Sequence, residues 1–365
     1  MKLLHTLVFT ALMALCLMGT AKAAPQPPIV DTESFEKALP KEAEDILGEV
    51  SLTNPKMGDE GLKSIWKFLS DNLFSIFKNA LKSAAKILTI VLLCALAYSA
   101  MDEGGARDMV SLSGTIAVSA IALCDVNAFF GMGTETLNKL SDFSKVLLPT
   151  MCTAAASAGA ITSASAKYAA TALFMDVLIT LAVNIIMPLI SIYLVSLIAG
   201  AALSKDNLAG VSRFLKWCCT TLITLLMLGF TTYIGMSGLI AGKTDEFAAK
   251  LTKSALGTVL PVVGGIISDA AGTIVAGAGI LRNAIGIAGF LAVAAVCVTP
   301  FLTLGSHYLV YKGTSALSEA LADKRLSELI SGIGGAFGMV LALVGAGGIM
   351  LFFSIISSMK AVGAI

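Results

Sequence analysis

The sequence predicts an all-α, polytopic membrane protein with six to eight transmembrane helices. Two numbers and a length carry this. Of 365 residues, 56% are hydrophobic and 13% charged, against about 25% charged in a soluble domain. Several apolar runs also reach the roughly 18 to 20 residues that a bilayer crossing needs. In lipid the backbone must satisfy its own hydrogen bonds, which a helix bundle does. The net charge of +1 singles out no charged partner, and no nucleic-acid partner is implied.

Residues 1–23, "MKLLHTLVFTALMALCLMGTAKA", carry one Lys at the front, a short apolar run and the small-x-small site Ala21-Lys22-Ala23. That is the pattern of a cleaved signal peptide, an uncleaved first helix being the other reading. Either way the next residues begin outside the cytoplasm. Residues 24–60 hold Pro25, Pro27, Pro28, Pro40 and Pro55 with an acidic excess between Asp31 and Glu49. They form an exported acidic arm, either a solvated leader or a docking segment.

Residues 61–83 place Leu62, Ile65, Trp66, Leu69, Leu73, Ile76 and Phe77 at helical spacing, with Lys63, Lys67, Lys78 and Lys82 largely elsewhere. A basic amphipathic helix of this kind lies in the membrane interface or packs on a partner helix. Residues 84–130 supply the first two spans, joined by the tight cytoplasmic loop "DEGGARD". Asp125, near the end of the second, is expected to snorkel to the interface.

The remainder reads as two membrane repeats of roughly 110 residues, 131–241 and 242–365. "ETLNKLSDFSKVLLP" matches "EFAAKLTKSALGTVLP", and Pro149 to Pro188 and Pro261 to Pro300 are both separations of 39 residues. After each second proline comes a charged stretch, "LSKDNLAGVSRFLKW" in one copy and "LSEALADKRLSELIS" in the other, and then a closing span. If the Leu-Pro-led first segment of each copy crosses fully, the repeats are inverted and there are eight spans. If it is broken or re-entrant, the repeats are parallel and there are six. The Lys and Arg of short loops divide almost evenly under both models, so they do not choose.

Small and polar residues in these copies are the candidate pathway or packing residues: Pro149, Lys167, Asp176, Asn184 and Pro188 in the first, and Pro261, Gly264, Gly265, Asp269, Arg282, Asn283 and Pro300 in the second. Glycines and prolines at membrane depth permit close packing or mark broken helices, which shelter from lipid. Charges there face a cavity or a partner, or snorkel from helix ends. Asp269 and Arg282 are too far apart to meet on one straight helix and would pair only across a bend. The apolar run 169–203, about 52 Å as a helix, must tilt, break at Pro188 or fold as a hairpin.

No constellation here supports catalysis, and His5 and His307 are isolated, so neither a metal nor another cofactor is expected. Of seven cysteines, Cys16 lies in the signal and the other six sit in apolar segments as small hydrophobes.

The two stretches "VLLPTMCTAAASAGAITSASAKY" and "TVLPVVGGIISDAAGTIVAGAGILRNAIGIAG" resemble the stage III sporulation protein AE family of endospore-forming bacteria, and the likeness extends over nearly the whole chain. The resemblance implies a non-enzymatic, polytopic protein of the mother-cell membrane around the forespore. It implies membership of a channel or secretion-like complex with ring-forming membrane proteins and an ATPase. It brings no catalytic or ligand residues to carry over. A free-standing secondary transporter and a scaffold without a conduit are the alternatives.

Overall fold

Every regular element of the computed structural model is a helix, and no strand occurs among the described residues. These are residues 32–48, 52, 54, 56–101, 105–157, 161–203, 206–259, 263–321 and 324–360, with side chains described except at 32–34, 161–164, 166–167, 206–208, 235, 237–279, 282, 357 and 360. They belong to one compact unit, Asp31–Ile365. The expected signal peptide lies outside the described residues.

Two short helices, α1 (Thr32–Lys37) and α2 (Lys41–Leu47), precede the long ones: α3 (Met57–Ser99), α4 (Gly105–Ser157), α5 (Ile161–Leu181), α6 (Met187–Leu203), α7 (Asp206–Val259), α8 (Val263–Leu321) and α9 (Lys324–Lys360). Six helical stretches are long and apolar enough to cross a membrane: Met57–Ser99, Gly105–Ser157, Tyr168–Leu203, Ala209–Ile234, Asn283–Leu321 and Lys324–Ile356. Among the described residues, then, the lower of the expected numbers holds.

The run 169–203 neither breaks nor folds back. A five-residue π-turn, Ala182–Ile186, joins α5 to α6 just before Pro188. Proline has no N–H to give and its ring crowds the carbonyl four residues earlier, that of Asn184; one wide turn absorbs both problems without ending the helix. Pro149 and Pro300 lie inside α4 and α8. Of the two Leu-Pro segments paired in the sequence, the first is internal to α4, and Leu260-Pro261 lies outside the described residues.

Hydropathy boundaries are not helix boundaries in this protein. The basic amphipathic segment and the first span are one uninterrupted helix of 43 residues, about 65 Å long at 1.5 Å per residue. Likewise α4 runs through 130/131 and α7 through 241/242.

The bundle is built from antiparallel neighbours. The Oγ of Ser315 on α8 donates to the Ser327 carbonyl on α9 at 2.9 Å, and Ser327 returns a bond to the Ser315 carbonyl at 2.9 Å. Farther along the same pair, a Cβ on Gly286 would stand 2.7 Å from Met359 Cγ. Arg325 at the α8–α9 turn lies 3.9 Å from Asp108 at the start of α4. Thr171 of α5 donates to Ser354 Oγ of α9 at 2.7 Å, while Tyr193 of α6 reaches the Gly332 carbonyl at 2.9 Å. The α3–α4, α6–α7 and α8–α9 turns thus share one end of the bundle. The arm and the end of α9 share the other, as an even number of crossings requires.

The arm is docked, not a solvated leader. Phe35 is fully buried with its ring 6.1 Å from that of Phe143, and Leu39 and Ala43 are buried too. Lys139 Nζ donates to Glu42 Oε1 at 2.5 Å and also lies 2.6 Å from Glu135. Burial pushes the Glu42 carboxyl up, but the Lys139 hydrogen bond and charge more than offset it, so the group sits below its ordinary value of 4.5. A lowered carboxylate contributes stability that is present above the ordinary value and lost as pH falls through the lowered one. Cleavage of the arm by an acid-active protease should therefore accelerate as pH drops below 4.5. The change is at most about fivefold, since exposed ion pairs contribute up to about 1 kcal/mol. The part of that acceleration owed to this pair should vanish in Glu42→Gln, and an identical pH profile in the two proteins would refute the assignment.

Candidate functional site

Two polar regions stand out in an otherwise apolar bundle. The first is internal. Asp125 of α4 is half-buried and its Oδ2 accepts a hydrogen bond from Tyr311 Oη of α8 at 2.9 Å. Tyr311 has no exposed surface and meets the Phe337 ring edge-on at 4.9 Å. Phe129 completes the cluster, 5.0 Å from Phe337 and 4.4 Å from the ring of buried His307, whose Nδ1 lies 2.9 Å from the Thr303 carbonyl. So Asp125 does not snorkel: a tyrosine 186 residues away in sequence holds it in the interior. One to three turns toward the α4 start, Thr115 Oγ1 and Ser119 Oγ are buried with no hydrogen-bond partner among the described residues.

The second region is a cleft of about 490 Å³ at the turn end, enclosed by α6, α7, α8 and α9. Its cations are Arg213 and Lys216 of α7, Lys312 of α8 and Arg325 of α9, with Glu328 the carboxylate of the lining. The sequence folds this way because glycines let the helices close up. A Cβ on Gly332 would lie 2.4 Å from Leu197 Cδ1 and 3.2 Å from Tyr193 Oη, so α6 approaches α9 only where a side chain is missing. Lys312 Nζ is held by Ser331 Oγ at 2.8 Å.

The residues chosen from sequence are placed elsewhere. Asp176, Asn184 and Pro188 are all exposed and, at spacings of eight and four, follow one outward face of α5 and α6. They line no interior cavity. Pro149 is half-buried, with its carbonyl accepting from Thr153 Oγ1 at 2.9 Å; Pro300 is buried and Asn283 exposed. Pro261 and the side chains of Lys167, Gly264, Gly265, Asp269 and Arg282 lie outside the described residues. The backbone of α8 is nevertheless continuous through Asp269 and Arg282, which puts about 20 Å of helix rise between them.

The basic cleft did leave a trace in the sequence. Arg213 and Lys216 come from "LSKDNLAGVSRFLKW", and Arg325, Glu328 and Ser331 from "LSEALADKRLSELIS", the two charged stretches that matched between the copies. The fold sets them against each other. Among the described residues no cluster of His, Cys, Asp and Glu is arranged to hold a metal, and the six cysteines there are free thiols.

The family model for stage III sporulation protein AE matches residues 50–362. A curated relative, the stage III sporulation protein AE of Bacillus subtilis (strain 168), is 21% identical over 302 residues, which cover 81% of this chain and 74% of that protein. No solved structure matches the chain. A six-span helical bundle that this family model matches over most of its length is a multi-pass membrane protein of a sporulation family: the chain belongs to the stage III sporulation protein AE family.

Proposed function

We propose that this chain is a non-enzymatic, integral component of a sporulation-specific, secretion-like channel complex between mother cell and forespore. It resides in the mother-cell membrane around the forespore, with the arm on the exported side. Its partners are ring-forming membrane proteins and an ATPase. The observation that carries this reading is the family match over residues 50–362, borne by a bundle of six spans.

The packing supports a part in the wall or base of a channel more than a pore along the bundle's own axis. Phe129, Tyr311 and Phe337 fill the interior at one level, and Leu137, Leu140 and Leu178 close around Gly347 at another. Glycine here serves close helix approach, which makes a rigid unit for partners to assemble on. A free-standing secondary transporter is the second reading, favoured by the interior Asp125–Tyr311 pair, because a carboxylate at membrane depth is often part of a transport path.

In a spore-forming host, deletion of the gene should arrest forespore development, and the tagged chain should co-isolate with the ATPase and the ring-forming proteins. Normal spores after deletion would end the proposal. Co-isolation of none of these partners, with solute uptake by vesicles holding this chain alone, would favour the transporter. Single cysteines placed along residues 262–280 in a background without native cysteines report on a conduit: uniform protection from aqueous reagents assigns that segment to packing.

A further inference from the structure

We propose that the cleft at the turn end is a binding site for a phosphate-bearing anion, the headgroup of an anionic phospholipid or a free phosphate. Four cations from three helices converge on it, and their carboxylates are mostly spoken for. Glu328 lies 3.8 Å from Lys324, and Asp108 lies 3.9 Å from Arg325. Among the described residues, no carboxylate comes within 4.0 Å of Arg213, Lys216 or Lys312. Lys216 and Lys312 are close enough to feel each other's charge. Cations gathered in a concave, partly apolar wall repel one another and raise the local concentration of any anion.

The donors are also unspent. Arg213 commits its Nε to the Ala209 carbonyl at 3.2 Å, which leaves the terminal nitrogens of the guanidinium fork, the geometry that suits two phosphate oxygens. No hydrogen bond from the Lys216 ammonium to any described residue is formed, and it stands beside Gly335, where a Cβ would lie 3.6 Å from Nζ. Three of the hydroxyls around it, by contrast, already donate within the protein: Tyr193 to Gly332, Ser196 to Tyr193 and Ser212 to Ala209. Ser331 Oγ accepts from Lys312 and keeps its own proton to give. The cleft therefore offers chiefly charge and N–H donors, which is the recognition chemistry of phosphate.

Its surroundings fit a headgroup. Phe214 and Trp217, each 60% exposed, stack 6.1 Å apart on α7 beside Arg213 and Lys216. Exposed aromatics next to basic residues at one end of a span mark the headgroup level, and basic pockets between spans there take acidic lipids. Leu197 and Leu329 in the lining supply apolar surface for the start of an acyl chain.

The test uses the full chain in neutral detergent, with binding read by native mass spectrometry and by thermal protection. The probes are phosphatidylglycerol, phosphatidylcholine and inorganic phosphate. Phosphatidylglycerol should bind and protect, phosphatidylcholine should bind about tenfold more weakly, and Arg213→Gln/Lys216→Gln should lose about tenfold in phosphatidylglycerol affinity, as loss of charge-assisted bonds implies. Both side chains are exposed, so that variant keeps its packing, and Lys312→Gln serves as the second. Lys63→Gln/Lys67→Gln, the same charge change on α3, should bind like the native chain. Protection by inorganic phosphate that the double variant abolishes, without any preference between the lipids, assigns the site to free phosphate. Equal binding of both lipids with no effect of phosphate overturns the proposal, as does a double variant that binds every probe like the native chain. None of these outcomes bears on the sporulation role, which is tested in cells.

Discussion

Gly334→Leu should destabilise the protein by about 3 kcal/mol or more, while Gly313→Leu should leave it at least as stable as the native chain. The two glycines lie on the two helices of one hairpin, and what a side chain would meet separates them. A Cβ on Gly334 would stand 3.1 Å from Tyr311 Cβ, 3.6 Å from the Lys312 nitrogen and 3.7 Å from the Tyr308 carbonyl oxygen. Those atoms are backbone, or fixed directly to it, so no rotamer change makes room; α8 and α9 must separate. Elsewhere the closer approaches are softer. A Cβ on Gly61 or Gly114 would come within 2.5 or 2.6 Å of a neighbour, but the neighbours are Leu291 Cδ1 and Cys94 Sγ, the ends of side chains that can turn.

Gly313 has nothing within 4 Å of its Cβ position, and Leu is the better helix former by roughly 0.8 kcal/mol. Thermal unfolding in detergent checks both, with Gly334→Ala expected between them at about 1 kcal/mol. Equal midpoints for Gly334→Leu and Gly313→Leu would mean that close approach at this seam is not what holds the hairpin.

Composition made the helical membrane class legible, and the apolar runs made the spans legible, because burial in lipid demands both. What hydropathy does not reveal is where a helix stops. The stretch "GMGTETLNKLSDFSK" reads as a polar connection holding a short amphipathic helix, yet nothing in it ends a helix, and α4 passes through it to Ser157. That one difference explains why Asp125 was expected at an interface. Cut at residue 130, the span leaves it near an end; with α4 continuing, it lies well inside the helix, facing α8.

Helices that are apolar all round also hide which face is buried. The run holding Asp176 and Asn184 has a mean composition too uniform to show that spacings of eight and four put them with Pro188 on the outside. The docking of the arm and the meeting of the two charged stretches in one cleft were illegible for a different reason. Glu42 meets Lys139 across 97 residues, and Tyr193 meets Gly332 across 139, pairings that no local pattern encodes.

Tyr311→Ala should cost about 4 kcal/mol, the largest loss expected of any single side chain in the internal cluster. Tyr311 is the largest fully buried side chain among the described residues, and its removal empties space that Phe337 borders at 4.9 Å. Its removal also strips Asp125 of the donor held at 2.9 Å. These two contributions separate in a double-mutant cycle. Tyr311→Phe keeps the ring and removes the hydroxyl, leaving the half-buried Asp125 carboxylate without its donor, and should cost about 2 kcal/mol. Asp125→Leu removes the acceptor and leaves a buried hydroxyl unmet, a similar loss. The double variant has neither orphan, so it should be more stable than the sum of the two single losses by about 1 kcal/mol or more, the coupling of a real pair. Additive losses would instead show that Asp125 reaches water past the ring and that the tyrosine's role is packing alone, which would also weaken the transporter reading, since that reading draws on this pair.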